Sequence, residues 1–227
     1  MRKLEAVIFD MDGVLVNSEP WHYEIECILF KRLGLDVPDD VHLTYIGTAN
    51  DHLYSDLKRR YNIQMTLPEL LEWDTEYRIE VFQQMSLMTP NPGLIDLLED
   101  LRSSNLKLAV ATSSVPGIVG IILEKCGIKS YFDSIVTTEQ AGKSKPAPDV
   151  FLMAANNLGV LPENCAVFED SFNGIKAAKD AGMLCIAYQP NNELLQDVSG
   201  ADKFIQSFTE INPFLIRKYF EEDSLIK

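Results

Sequence analysis

Histidine and cysteine are scarce in this chain, three and four of 227 residues. The cysteines, Cys27, Cys126, Cys165 and Cys185, are scattered through apolar segments and form no CxxC pair. That spacing leads us to expect neither a disulfide framework nor a zinc centre, but free thiols in a reducing cytoplasm. Basic residues are also short: 20 Lys and Arg stand against 34 Asp and Glu, a formal net charge of −14. Nucleic acids and anionic membranes are recognised largely through basic patches, so neither is an expected partner. Long apolar runs are missing too. The N-terminal run Ala6–Phe9 is too short for a signal peptide, and nothing approaches the ~18 residues of a membrane span. Repeats, low-complexity tracts and linkers are absent, and a monomer is the default expectation.

What remains is ordinary globular composition, 46% hydrophobic and 24% charged. Short apolar runs at Leu4–Phe9, Leu106–Ala111, Ser134–Thr137, Cys165–Phe168 and Leu184–Tyr188 read as strands. Helical patterns fill the gaps at Gly93–Ser103, Pro116–Cys126, Pro148–Leu158 and Ser171–Ala181. Strand alternating with helix predicts βαβ units, hence a doubly wound, Rossmann-like parallel α/β sheet. The first strand breaks that rhythm, because no convincing strand follows it until Leu106. Helical periodicity at Glu19–Leu33, Asp51–Tyr61 and Leu67–Met85 predicts that residues 16–88 form a helical insertion. The chain would return at the Pro-rich hinge Met88–Pro92 to a core made of residues 1–15 and 89–227. A last short strand and helix are expected within Phe204–Lys227.

Ligands of open parallel sheets bind beyond the carboxyl ends of the strands. Asp10-Met11-Asp12-Gly13 follows the first strand, Thr112-Ser113-Ser114 the second, Lys145-Pro146 lies beyond the third, and Glu169-Asp170 closes the fourth. Phosphoryl transfer to a carboxylate needs such a set. A carboxylate is a fair nucleophile but is repelled by a phosphate dianion, so a hard, oxygen-bound cation such as Mg²⁺ must offset the repulsion. A lysine adds a point charge, and hydroxyls hold the phosphoryl oxygens. Asp10 and Asp12, two apart on extended backbone, face the same side. One can attack while the other moves the proton. Each motif alone has a plainer reading: a solvated turn, a helix cap, a surface lysine, an acidic helix start. Their joint appearance at successive strand ends favours the chemical one. Gly142-Lys143-Ser144 is not the end of a phosphate-binding P-loop, since Thr137 stands where its first glycine belongs.

The segments Phe9-Asp10-Met11-Asp12-Gly13-Val14, Thr112, Lys145-Pro146 and Glu169-Asp170 resemble the four motifs of the haloacid dehalogenase superfamily, in its branch of β-phosphoglucomutases and sugar-phosphate phosphatases. The resemblance spans essentially the whole chain. It implies Asp10 as nucleophile, Asp12 as general acid–base, Thr112 and Lys145 as phosphoryl ligands, with Ser113 beside them. It also implies Mg²⁺ held by Asp10, the Asp12 carbonyl and Asp170, with help from Glu169. The insertion matches that family's substrate-selecting cap. There Ser18 is a plausible N-cap, and His22 falls where the mutases place a histidine against the acid–base. Asn50, with Thr48 beside it, falls where they carry a phosphate-binding arginine. Of the cap cations Lys31, Arg32, Lys58, Arg59, Arg60 and Arg78, only Arg78 is a conceivable substitute. His42, His52, Tyr45, Tyr54, Trp73 and Tyr77 read as packing or surface residues. The expected activity is hydrolysis of small phosphorylated metabolites, with β-phosphoglucomutase as the alternative. A vestigial binding module and a dehalogenase fit less well, because all four motifs keep the acids a phosphotransferase needs.

Overall fold

The computed structural model describes residues 2–45, 50–86, 88–190 and 196–226. Six strands, β1 Ala6–Phe9, β2 Lys107–Thr112, β3 Ser134–Thr137, β4 Cys165–Glu169, β5 Leu184–Tyr188 and β6 Lys203–Ile205, form one sheet in the order 3-2-1-4-5-6. Every pairing is parallel. The doubly wound fold predicted from the strand–helix alternation is therefore present. The strand order reverses between β1 and β4, the switch point where such sheets open a crevice at their carboxyl ends.

The helices in chain order are α1 Glu19–Arg32, α2 Asp39–His42, α3 Asn50–Tyr61, α4 Leu67–Gln84, α5 Leu94–Ser103, α6 Pro116–Lys125, α7 Thr138–Ala141, α8 Asp149–Leu158, α9 Phe172–Asp180 and α10 Pro213–Ile226. The turns α2 and α7 were not anticipated; four residues are too few to show a 3.6-residue period. Thr137 makes a capping box with Gln140 at the start of α7, and Gly142 (φ +85°) ends it. Ser18 precedes α1, but its hydroxyl makes no cap bond. Its backbone is already helical (φ −92°, ψ −15°), which turns the side chain away from the N–H groups a cap must reach.

The chain divides into two compact units, Met1–Asn17 with Leu87–Lys227, and Ser18–Ser86. The larger is the sheet unit. Strands β1, β4 and β5 are buried along their length because helices cover them, as parallel sheets require. Ala6, Ile8, Ala109, Ala111 and Val167 pack with Phe151 and Ala154 of α8 and Ala177 of α9. Phe9 and its cross-strand neighbour Phe168 stack at 5.0 Å and 11°, Phe208 meets Phe168 edge-on, and Phe208 stacks on Tyr188. Small side chains on one side of β1 and β2 let α8 approach, while aromatic rings fill the other. The smaller unit, α1–α4, has its own core of Phe30, Tyr45, Leu53, Tyr54, Leu57 and Leu70.

Candidate active site

The buried strands β1, β2 and β4 run in register, so the residues that end them are brought level with one another. Asp10 directly follows β1, Thr112 is the last residue of β2, and Glu169 is the last of β4. Lys145 comes from the loop after α7. Its Nζ donates to Asp10 Oδ1 at 2.6 Å, to Glu169 Oε1 at 2.7 Å and to the Ala111 carbonyl at 3.1 Å. The ammonium lies 4.8 Å from the centre of the Phe151 ring. Asp10 is 7% exposed, Glu169 1% and Thr112 not at all.

Burial opposes the Lys145 charge, yet the carboxylates of Asp10 and Glu169 outweigh it and hold the lysine pKa above its ordinary value. The lysine is thus charged. Burial pushes the Asp10 carboxyl up to about 7; Lys145 pulls it down, but Glu169 and Asp12 add to the rise. Asp170 is raised well above the ordinary carboxylate range, first by burial, then by the charges of Glu169 and Asp10. One ammonium shared among four carboxylates leaves the cluster short of positive charge.

Glu169 is held at both oxygens. Oε1 accepts from Lys145, and Oε2 accepts at 2.9 Å from the Asp170 N–H, the Ser171 N–H and the Ser171 hydroxyl. Ser171 is also the N-cap of α9, accepting from the Gly174 N–H at 3.0 Å. Gly174 leaves the room this needs, since a Cβ there would stand 1.6 Å from Glu169 Oε1. Gly13 plays the same part for Asp170: its φ is +80°, and a Cβ would lie 2.0 Å from Asp170 Oδ2.

Asp12 Oδ2 accepts from the Ser114 hydroxyl at 2.5 Å and, at 3.5 Å, from the Thr112 hydroxyl. Thr112 Oγ1 accepts the Ser114 N–H at 3.0 Å rather than capping α6, which begins four residues later. Ser114 therefore stands beside Asp12, whereas Ser113 is exposed. Sequence reasoning chose between two adjacent serines with no signal to separate them. The acidic groups supply only hard oxygen donors, Asp10 and Glu169 are buried, and the cluster is deficient in positive charge, which suits a small divalent cation. Among the described residues, no three His, Cys, Asp or Glu side chains close on one point as a ready metal centre.

His22 and Asn50 belong to the smaller unit, where both are tied into a buried polar network around Arg78 (3% exposed) and Asp74 (not exposed). Arg78 Nε donates to both Asp74 oxygens at 2.9 and 2.8 Å, and Nη2 to Glu26 Oε1 at 2.8 Å. Arg78 Nη1 lies 2.9 Å from His22 Nδ1; a guanidinium only donates, so Nδ1 accepts and the ring proton sits on Nε2. Asn50 Nδ2 and the Tyr54 hydroxyl donate to Asp74, at 2.9 and 2.7 Å. Glu26 Oε2 is 2.7 Å from His42 Nε2. Tyr54 and His42 are thus members of this network as well as of the packing, and His52 is exposed. Thr48 lies outside the described residues. Lys58 donates to the carbonyls of Ile63 and Met65, and Arg59 and Arg60 pair with Asp56.

Among the described residues no helix is long and apolar enough to cross a membrane. Residues 7–188 match the family model described as haloacid dehalogenase-like hydrolase. A phosphorylated carbohydrates phosphatase of Thermotoga maritima is 34% identical over 180 residues, 79% of this chain and 82% of that protein. The fructose-1-phosphate phosphatase of Escherichia coli is 30% identical over 78% of this chain and 93% of its own. The crystal structure of β-phosphoglucomutase from Clostridium difficile superposes with a TM-score of 0.82 at 26% identity, covering 98% of this chain and 99% of that one. Sheet order, motif positions and these matches agree: the chain is an enzyme of the phosphatase type and belongs to the haloacid dehalogenase-like hydrolase family.

Proposed function

We propose that this enzyme is a Mg²⁺-dependent phosphohydrolase of small phosphorylated metabolites, sugar phosphates above all, working through an aspartyl-phosphate on Asp10. The observation that carries the reading is the buried Lys145 bridge, which holds Asp10 and Glu169 at the strand switch point. Asp10 attacks phosphorus through a carboxylate oxygen while its other oxygen stays oriented. Asp12, backed by Ser114 and Thr112, gives a proton to the leaving oxygen and then takes one from the water that cleaves the acyl phosphate. Thr112, Ser113 and Lys145 receive the phosphoryl oxygens. Asp10, the Asp12 carbonyl and Asp170 would hold Mg²⁺. Glu169, with both oxygens already engaged, helps by fixing Lys145 and the Asp170 loop. The metal supplies the positive charge that lets a carboxylate meet a phosphate dianion.

The helical insertion, residues 16–88, would be the cap that selects the substrate, and His22 and Asn50 are its candidate substrate-binding residues. A mutase acting through the same phospho-Asp10 needs a cap cation for a second phosphate. Arg78 is committed to Asp74, Glu26 and His22, and Asn50 is neutral and bonded to Asp74. That favours hydrolysis. Four free cysteines and an acid-rich composition suit a cytoplasmic monomer with no nucleic-acid or membrane partner.

A panel of phosphorylated metabolites, assayed with Mg²⁺ for phosphate release and for isomerisation, tests the reading. Release from sugar monophosphates is expected, and Asp10→Asn should abolish it. Efficient conversion of β-glucose 1-phosphate to glucose 6-phosphate, stimulated by glucose 1,6-bisphosphate, would overturn it in favour of the mutase.

A further inference from the structure

Asn91 donates to three carbonyls of the turn that carries Asp12. Met11 to Val16 form a tight loop. The Met11 carbonyl accepts from the Leu15 N–H at 2.9 Å and the Val16 N–H at 3.3 Å, and the Gly13 N–H donates to Val16 O at 2.8 Å. These bonds leave the carbonyls of Gly13, Val14 and Leu15 to find donors elsewhere. Asn91 serves all three: Nδ2 donates to Gly13 O at 3.0 Å and Val14 O at 2.7 Å, and its N–H donates to Leu15 O at 2.9 Å.

Asn91 is 9% exposed and lies between Pro90 and Pro92. Proline has no N–H and a fixed φ, so Asn91 holds the only backbone donor of that tripeptide on a stiff support. On its other flank the turn meets Asp170, which fills the space a Gly13 side chain would need. The turn is thus gripped between the Asp170 carboxylate and the Asn91 amide.

We infer that Asn91 is a positioning residue for the general acid–base, fixing the turn so that the Asp12 carboxylate stays beside Ser114 and the leaving oxygen. The inference rests on the acid–base role proposed for Asp12. It predicts which substrates suffer when the amide is lost. A sugar oxygen leaves only with a proton, whereas p-nitrophenolate leaves without help, so only the first depends on Asp12 during phosphoryl transfer.

The test compares kcat/KM for p-nitrophenyl phosphate with that for the sugar monophosphate turned over fastest in the panel. The variants are Asn91→Leu, Asn91→Ser and Asp12→Ala, each assayed well below its own melting temperature. Asn91→Leu should lower kcat/KM for the sugar phosphate by about tenfold or more and for the aryl phosphate by less than about threefold. Asn91→Ser, which keeps one donor, should recover part of the loss, and gives the same reading should the leucine variant not fold. Asp12→Ala should show the same split, more strongly. Equal losses on both substrates, or none on either, in the Asn91 variants while Asp12→Ala shows the split would overturn the inference alone. Absence of the split in Asp12→Ala itself would overturn the acid–base role of Asp12 and the inference with it.

Discussion

Gly174→Ala sets two physical effects of opposite sign against each other. Gly174 is the third residue of α9. On helix propensity alone an alanine there should stabilise by roughly 0.5–1 kcal/mol, because glycine loses more backbone freedom on folding. The new methyl, however, would stand 1.6 Å from Glu169 Oε1 and 1.9 Å from its carboxyl carbon. A free glutamate would swing away at little cost, but this one is 1% exposed and pinned by Lys145, the Asp170 and Ser171 N–H groups and the Ser171 hydroxyl. Retreat by more than an ångström breaks some of these. At about 1.5–3 kcal/mol for each hydrogen bond to a charged group, losing two costs roughly 3–6 kcal/mol. The clash wins, leaving a net loss of about 2–5 kcal/mol and a melting temperature lower by roughly 5–20 °C for a chain of this size. Thermal unfolding followed by circular dichroism, with phosphate release measured in parallel, reads both stability and site. Removing the carboxylate should reverse the sign: in a Glu169→Ala background, Gly174→Ala should raise the melting temperature. A Gly174→Ala single variant as stable and as active as the wild type would refute the argument that Glu169 is pinned.

Lys145→Met should abolish phosphate release and destabilise by about 3–5 kcal/mol in urea titrations, because it strips the cation from two buried carboxylates. Arg78→Met should lower stability by a similar amount, roughly 3–5 kcal/mol, since Asp74 and Glu26 lose their shared cation. Calorimetry checks it, and an unchanged melting temperature would show that the network does not hold the smaller unit together. Excess chelator should stop turnover, and Mg²⁺ should raise the melting temperature by mass action. The Asp170→Ala variant should lose both responses, and full activity of that variant in chelator would sink the metal assignment.

The parts of this molecule that could be read from sequence are those where chemistry and chain order coincide. Buried parallel strands are short apolar runs, and the residue after each run lies at the sheet's carboxyl edge, so Asp10, Thr112 and Glu169 were visible as a set. Lys145 was visible too, although its contact with Asp10 spans 135 residues. What stayed hidden depends on which way a side chain turns. Ser114, not Ser113, meets Asp12 because Thr112 Oγ1 takes the Ser114 N–H and draws that residue inward. Asn91 looked like one more residue in a proline-rich hinge; nothing local says that three carbonyls near residue 14 lack donors.

The surroundings of Arg78 are not legible in the sequence. On a helix with mixed polarity an arginine reads as solvated, and hence as a cation available to a ligand. Its partners His22 and Glu26 lie 56 and 52 residues away in sequence, beyond any helical period. Their effect is to spend its charge inside the fold. Two carboxylates and an imidazole around one guanidinium leave no surplus positive charge to offer a phosphate, and drawing Arg78 out would strand the fully buried Asp74 without its cation at a cost of several kcal/mol. A ligand's second phosphate would have to recover that cost before gaining any affinity. On the proposed reading of this unit as the substrate-selecting cap, the expected substrates are those whose remote end is uncharged and hydroxyl-rich, the chemistry of a sugar monophosphate.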